Sequence, residues 1–220
     1  MKGPVKGPMM RRVPVRRLTL YARSRQVPAS LATVVIGAVL VWALTRGGDE
    51  GPGDPRLHVL VLGAGAVAAS IGLSGQDLAL DRTAAIRWVP RRTAHVLFAA
   101  AVTGAVPLAV PAVGGAVTGA ADGGADGAVL TAEFVEFVIR DSAGLMGLAA
   151  LGAALSGGHY AWTLPFGWLA FSFVAPPPTS TPAEVGAWMM LPPGTPAATW
   201  TAIALTVAGT TAYAVAGPRR

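Results

Sequence analysis

The chain has 220 residues, of which 53% are hydrophobic and 13% charged, with a mean hydropathy of +0.54. That is too little charge to cover the outside of an ordinary water-soluble domain, so this class is excluded. The formal charge is +6, yet eight of the 17 basic residues lie before residue 26, where there is no acidic residue. Beside a long apolar chain, such an arm reads as a contact for anionic lipid or a topology signal, and no nucleic-acid partner is expected. The absence of cysteine excludes a disulfide framework and thiolate metal or redox chemistry.

Five runs without Asp, Glu, Lys or Arg follow the tail, at 26–45, 57–76, 93–121, 142–183 and 185–218. Roughly 20 apolar residues in a helix rising ~1.5 Å per residue cross a hydrocarbon layer ~30 Å thick. The expected class is therefore all-α, a polytopic membrane protein with six transmembrane helices. In chain order, the basic cytoplasmic tail covers 1–26, and its part 15–26 (VRRLTLYARSRQ) mixes Leu18, Leu20 and Tyr21 with arginines. This pattern suits a helix lying in the headgroup layer or a disordered basic flank. The first span is placed at 27–45. A cleavable signal peptide is its rival reading, but the further apolar segments make a membrane protein either way. The second span, 57–75, leads into a cytoplasmic loop at 76–92, where good helix formers from Asp77 to Trp88 predict a short helix flanked by arginines.

The third span is placed at 94–116 and the fourth at 134–156. The fourth reaches full length only by drawing Glu136, Arg140 and Asp141 to or into the membrane edge. On a helix Glu133, Glu136, Arg140, Gly144 and Gly147 fall near one face, with Glu136 and Arg140 spaced to pair. Charge inside a membrane segment is costly unless paired or facing water, so this cluster reads as a path, a gate or a structural ion pair. Glycines such as Gly63, Gly144, Gly147 and Gly152 permit close helix packing. Gly157-Gly158 offers a turn before a fifth span at 159–175. A proline-rich outer loop at 176–195 follows, then a sixth span at 196–217. In that loop Thr181-Pro182-Ala183-Glu184 has the form of a capping box, and a short helix carrying Glu184, Trp188 and Met189 is expected to dip into the outer leaflet.

Six spans with the tail inside put 14 of the 17 basic residues on the cytoplasmic side, leaving only Arg46, Arg56 and Arg140 outside. The positive-inside rule is thus met with both termini cytoplasmic. No P-loop sequence is present, and the only lysines are Lys2 and Lys6, so the chain cannot hold a nucleotide in that manner. His58, His95 and His159 have no metal-ligand spacing and are expected to be interfacial. Gly72-Leu73-Ser74-Gly75 matches the nucleophile motif of rhomboid intramembrane proteases. That family's base is a histidine on the last core helix, and residues 196–217 contain none.

The interfacial stretch, the six spans, the cytoplasmic helix at 76–92 and the outer helix between the last two spans together resemble the ABC-2 type permease, the membrane subunit of an ATP-binding-cassette exporter. The segments GLSGQDLALDRTAAIRWVPRR and FVIRDSAGLMGLAALGAAL are also similar to permease-like proteins of high-GC actinobacteria. The resemblance implies that 76–92 docks on a separate ATPase subunit, with Asp77, Asp81, Arg82, Arg87, Trp88, Arg91 and Arg92 as its contacts. It implies a second permease chain, ATP-Mg held by the partner rather than by this chain, and a plasma-membrane location among lipids. No enzymatic activity of the chain itself is expected. Peptide, lipid or antibiotic-like cargo fits, although the lack of an extended outer domain departs from family members whose substrates need one. A membrane anchor, sensor or immunity subunit is the alternative, with an intramembrane serine protease behind it.

Overall fold

A computed structural model describes residues 55–73, 88–117 and 131–219, with side-chain surroundings outside 110–117. The basic tail, the expected first span and most of the expected coupling loop lie outside the described residues. Those described are helical, with no strand among them: α1 (Pro55–Ser70), α2 (Trp88–Val117), α3 (Ala132–Ser156), α4 (Thr163–Val174), α5 (Thr181–Gly186) and α6 (Pro196–Ala216). Single 3₁₀ turns follow α1, precede α4 and follow α5.

Among the described residues, three helical stretches are long and apolar enough to cross a membrane: Arg56–Leu73, Trp88–Ala109 and Ala132–Ser156. Helix α6 has 21 residues and no charge, but five threonines lower its hydropathy. Three of those hydroxyls donate back to carbonyls four residues earlier, Thr199 to Thr195, Thr201 to Ala197 and Thr206 to Ala202. Their polarity is thereby met inside the helix, which is what an apolar surrounding requires. Helix α4 has 12 residues, about 18 Å at the usual rise. The expected fifth segment is thus divided, a 3₁₀ turn at Gly158–Tyr160 standing before a short helix.

Helix α3 is the centre of the bundle. Thr131 caps its start, the hydroxyl accepting from the Phe134 N–H at 3.1 Å, and Glu133 in the first turn suits the helix dipole. It stops at Gly157, whose φ of +97° suits a residue without Cβ. From Arg140 to Ala150 every residue but the half-buried Ala143 is buried, because α1, α2, α4 and α6 all pack on this helix.

Its tightest neighbour is α6. A methyl built on Gly209 would fall on the Gly147 carbonyl, and one on Gly147 would fall on the backbone of Leu205 and Thr206. Two backbones in such contact gain dispersion over many atom pairs, the route to helix association where lipid competes for apolar surface. The expected close packing at Gly144, Gly147 and Gly152 is found. Gly144 lies under the Trp188 ring, and Gly152 against the Ala161 backbone.

The two ends of the bundle are fastened differently. At one, His58 at the start of α1 meets Phe134 at the start of α3 edge-on, with ring centroids 4.9 Å apart. At the other, arginines serve the helix C-termini: Arg92 Nη1 donates to the Ala214 carbonyl at 3.4 Å, and Arg219 donates its N–H to Ala153 and its Nη1 to Leu155. Cations there satisfy orphan carbonyls and the negative dipole end together. Tyr213 Oη donates to the Leu73 carbonyl at 2.9 Å, and His95 Nε2 lies 3.1 Å from the Gly72 carbonyl, tying the end of α1 to α6 and α2.

Gly209→Val is expected to destabilise the protein by about 1–3 kcal/mol or more through overpacking. Gly167→Ala, at an open helical position, is expected to be neutral or to stabilise by up to about 1 kcal/mol. Chemical unfolding in mild detergent, followed by circular dichroism, measures both.

Candidate functional site

Arg140 and Asp141 lie where the sequence places charge inside a membrane-length helix, and both are buried, at 7% and 0% exposure. The guanidinium donates from Nε to Asp141 Oδ1 at 2.7 Å, from Nη1 to the Pro192 carbonyl at 3.1 Å, and from Nη2 to the Leu191 carbonyl at 2.9 Å. The Trp188 carbonyl is 3.5 Å from Nη2, and the Phe137 ring lies beneath the guanidinium at 5.3 Å. The planar fork suits this task, because its N–H groups point in fixed and divergent directions at several acceptors. Asp141 Oδ2 accepts no hydrogen bond among the described residues.

The expected pairing of Glu136 with Arg140 does not form. Glu136 Oε1 instead accepts from the Gly194 N–H at 3.1 Å, while Arg140 takes the neighbouring Asp141. The cause lies in the segment after α5. Pro192 and Pro193 have no N–H, and the Leu191 carbonyl has no local donor among the described residues; the Trp188 and Pro192 carbonyls, which accept from the Leu191 N–H and from the Thr195 N–H and hydroxyl, keep capacity for further donors. Arg140 supplies them, and Glu136 takes the N–H at Gly194, two residues further on. Together they fasten residues 188–194 to α3. Glu133 stands exposed one turn earlier.

The segment 176–195 differs from expectation in a second respect. A short helix is present, but Trp188 and Met189 are wholly buried rather than turned out as membrane anchors. Gly144 has no side chain to keep the Trp188 ring away, so the indole fills the bundle. Glu184 is half-buried in the first turn of α5. The expected capping box is not made either: the cap is Ser180, one residue before Thr181, with no side-chain bond. Helix α5 is instead held by Trp168, whose Nε1 donates to the Gly186 carbonyl at 2.8 Å.

Beside this cluster, the start of α3 and the first half of α6 enclose a groove of about 670 Å³. Val135, Ile139 and Ala143 form one wall, Ala202, Ile203 and Val207 the other, with Glu136 and Arg140 along its edge. Thr199 and Thr206 also line it, but their hydroxyls are spent on their own helix. Sequence reasoning missed the α6 wall, because an exposed Ile203 and Val207 read as ordinary lipid-facing residues.

The expected ATPase contacts divide. Asp77, Asp81, Arg82 and Arg87 lie outside the described residues, as does Ser74. Trp88, Arg91 and Arg92 gather at the end of the bundle opposite Arg140, with the Arg91 guanidinium 6.0 Å from the Trp88 ring centre and Arg92 engaged with Ala214. No group of His, Asp and Glu able to hold a metal occurs among the described residues. Comparison with family models, with curated proteins and with solved structures finds no match.

Replacing Arg140 by Met strands Asp141 without its partner in the interior, and a loss of about 3–5 kcal/mol is expected. The double change Arg140→Met with Asp141→Leu is expected to recover most of that stability while leaving 188–194 unfastened. Unfolding in detergent reads the first effect, and faster proteolytic cutting between 176 and 195 in both variants reads the second.

Proposed function

We propose that the chain is the transmembrane permease subunit of an ABC-2 type exporter in the plasma membrane, working with a separate ATPase and a second permease chain. The observation that carries this reading is the disposition of two features along the bundle. A short helix, followed by a segment sewn to α3 through Arg140 and Glu136, stands between α4 and α6 at one end. An arginine pair beside Trp88 opens α2 at the other end. These are the chain positions at which a permease of this layout carries its outer helix and the end of its coupling loop. A largely apolar exterior, including Leu97, Phe98, Trp200 and Val207, supports immersion in lipid.

In this reading six spans cross the bilayer, 27–45 being the first, with both termini cytoplasmic and the Arg140 end outside. ATP binding closes two ATPase subunits, and the movement enters the permease through residues 76–92. Arg92 and Arg219 transmit it directly, since each joins an inner-face residue to the end of a long helix, α6 and α3 respectively. The α3–α6 pair, rigid at Gly147 and Gly209, then tilts as a unit against its neighbours. Arg140 holds the outer segment to α3, so the outer cover moves with that helix.

Co-purification of the full chain with a subunit carrying Walker motifs, and ATP hydrolysis by the complex, is the expected result. Arg87→Glu combined with Arg91→Glu is expected to abolish that association while leaving the chain in the membrane fraction; Arg92 is left intact because of its structural bond. Unchanged complex formation refutes docking through this loop. Tags at either end are expected to be accessible only from the cytoplasm, and a tag reached from outside refutes the topology.

A further inference from the structure

The groove between α3 and α6 has a composition that selects its occupant. Its walls are hydrocarbon, and its volume of about 670 Å³ lies within the roughly 300–1,000 Å³ of small-molecule sites. The hydroxyls that reach it are already bonded to backbone. Arg140 offers an incoming anion little, because Asp141 neutralises it and three carbonyls surround its other nitrogens. Glu136 differs: it is exposed, borders the groove, and one of its oxygens holds only the Gly194 N–H. Glu133 stands exposed a turn away. An apolar trough lined by one exposed carboxylate, with its only arginine already neutralised, disfavours anionic headgroups and attracts cationic ones.

We infer that this groove takes a cationic amphiphile, with its hydrocarbon body between Ile139, Ile203 and Val207 and its ammonium or guanidinium group beside Glu136. This rests on the exporter reading and deepens it by naming the cargo class. The molecule enters sideways from the outer half of the bilayer, because Ile139 on one wall and Ile203 and Val207 on the other are exposed. Headgroup selection then comes from charge, while hydrocarbon length is selected only loosely by a trough that is open along one side.

The test uses the purified full-length chain in phosphatidylcholine nanodiscs, without ATP, and a photoactivatable alkyl-trimethylammonium probe whose cross-links are mapped by mass spectrometry. Labelling is expected in 132–143 and 199–207. An unlabelled alkyl-trimethylammonium is expected to compete at concentrations about tenfold lower than an alkyl sulfate of the same length. Glu136→Gln keeps an oxygen for Gly194 but removes the charge, and is expected to erase that preference while labelling persists. Ala143→Trp fills the trough and is expected to remove the labelling. Even labelling of all exposed helices, equal competition by the sulfate, or undiminished labelling of Ala143→Trp overturns the inference.

Competition by phosphatidylethanolamine as effective as that by the ammonium compound assigns the groove to bilayer lipid and overturns it too. Because the chain has no native cysteine, Ile203→Cys is a clean reporter of protein occupants. A disulfide from it to a second copy, or to a cysteine placed in 27–45, shows the groove filled by protein and likewise overturns the inference. Probe labelling without any ATPase partner leaves the site and removes the exporter reading, whereas an ATPase partner without labelling does the reverse.

Discussion

The described structure depends on a buried guanidinium. Arg140 sits in the helix most enclosed by its neighbours, where an unpaired charge is not tolerable, and it is kept there by one carboxylate and a fan of backbone carbonyls. Those carbonyls are exposed to it because the opposing segment is rich in proline and ends a 3₁₀ turn. The two sides are complementary: the segment offers carbonyl lone pairs, at Leu191 without a local donor and at Pro192 beside Thr195, and the helix offers the guanidinium N–H groups. Trp188 seals the arrangement by filling the space over Gly144 and keeping water from the ion pair.

A second constraint is the contact of α3 with α6. Glycines at 147 and 209 let the two backbones meet, and Ala202 lies against Gly144. The groove lies where the same two helices present larger side chains, Ile139 on α3 and Ile203 and Val207 on α6.

How much of this could be read from the chain depends on what kind of signal each feature leaves. Charge-free runs locate the long helices because solvation in hydrocarbon is a property of composition: α1, α2 and α6 lie largely on those runs, while α3 begins before its run and takes in Glu133, Glu136, Arg140 and Asp141. The short helix after residue 180 is legible from Pro182 and its surroundings, though its cap falls one residue earlier than the four-residue pattern indicates. Most partners of Arg140 were not legible. Spacing along one helix offers Glu136, whereas the carboxylate that pairs is the adjacent Asp141, and the other acceptors lie some 50 residues away and are main-chain atoms, which carry no residue-type signal. Trp188 misleads for a related reason: an aromatic beside prolines suits a membrane surface equally well, and only the missing side chain at Gly144, 44 positions earlier, turns it inward.

The threonines of α6 have a mechanical side. A hydroxyl that bonds the carbonyl one turn back shares that acceptor with the ladder and lets the helix axis curve. Thr199, Thr201 and Thr206 place three such points before the glycine crossing, in the part of α6 that lines the groove. Because Thr199 and Thr206 themselves line the trough, the shape of that wall is tied to the curvature these bonds permit.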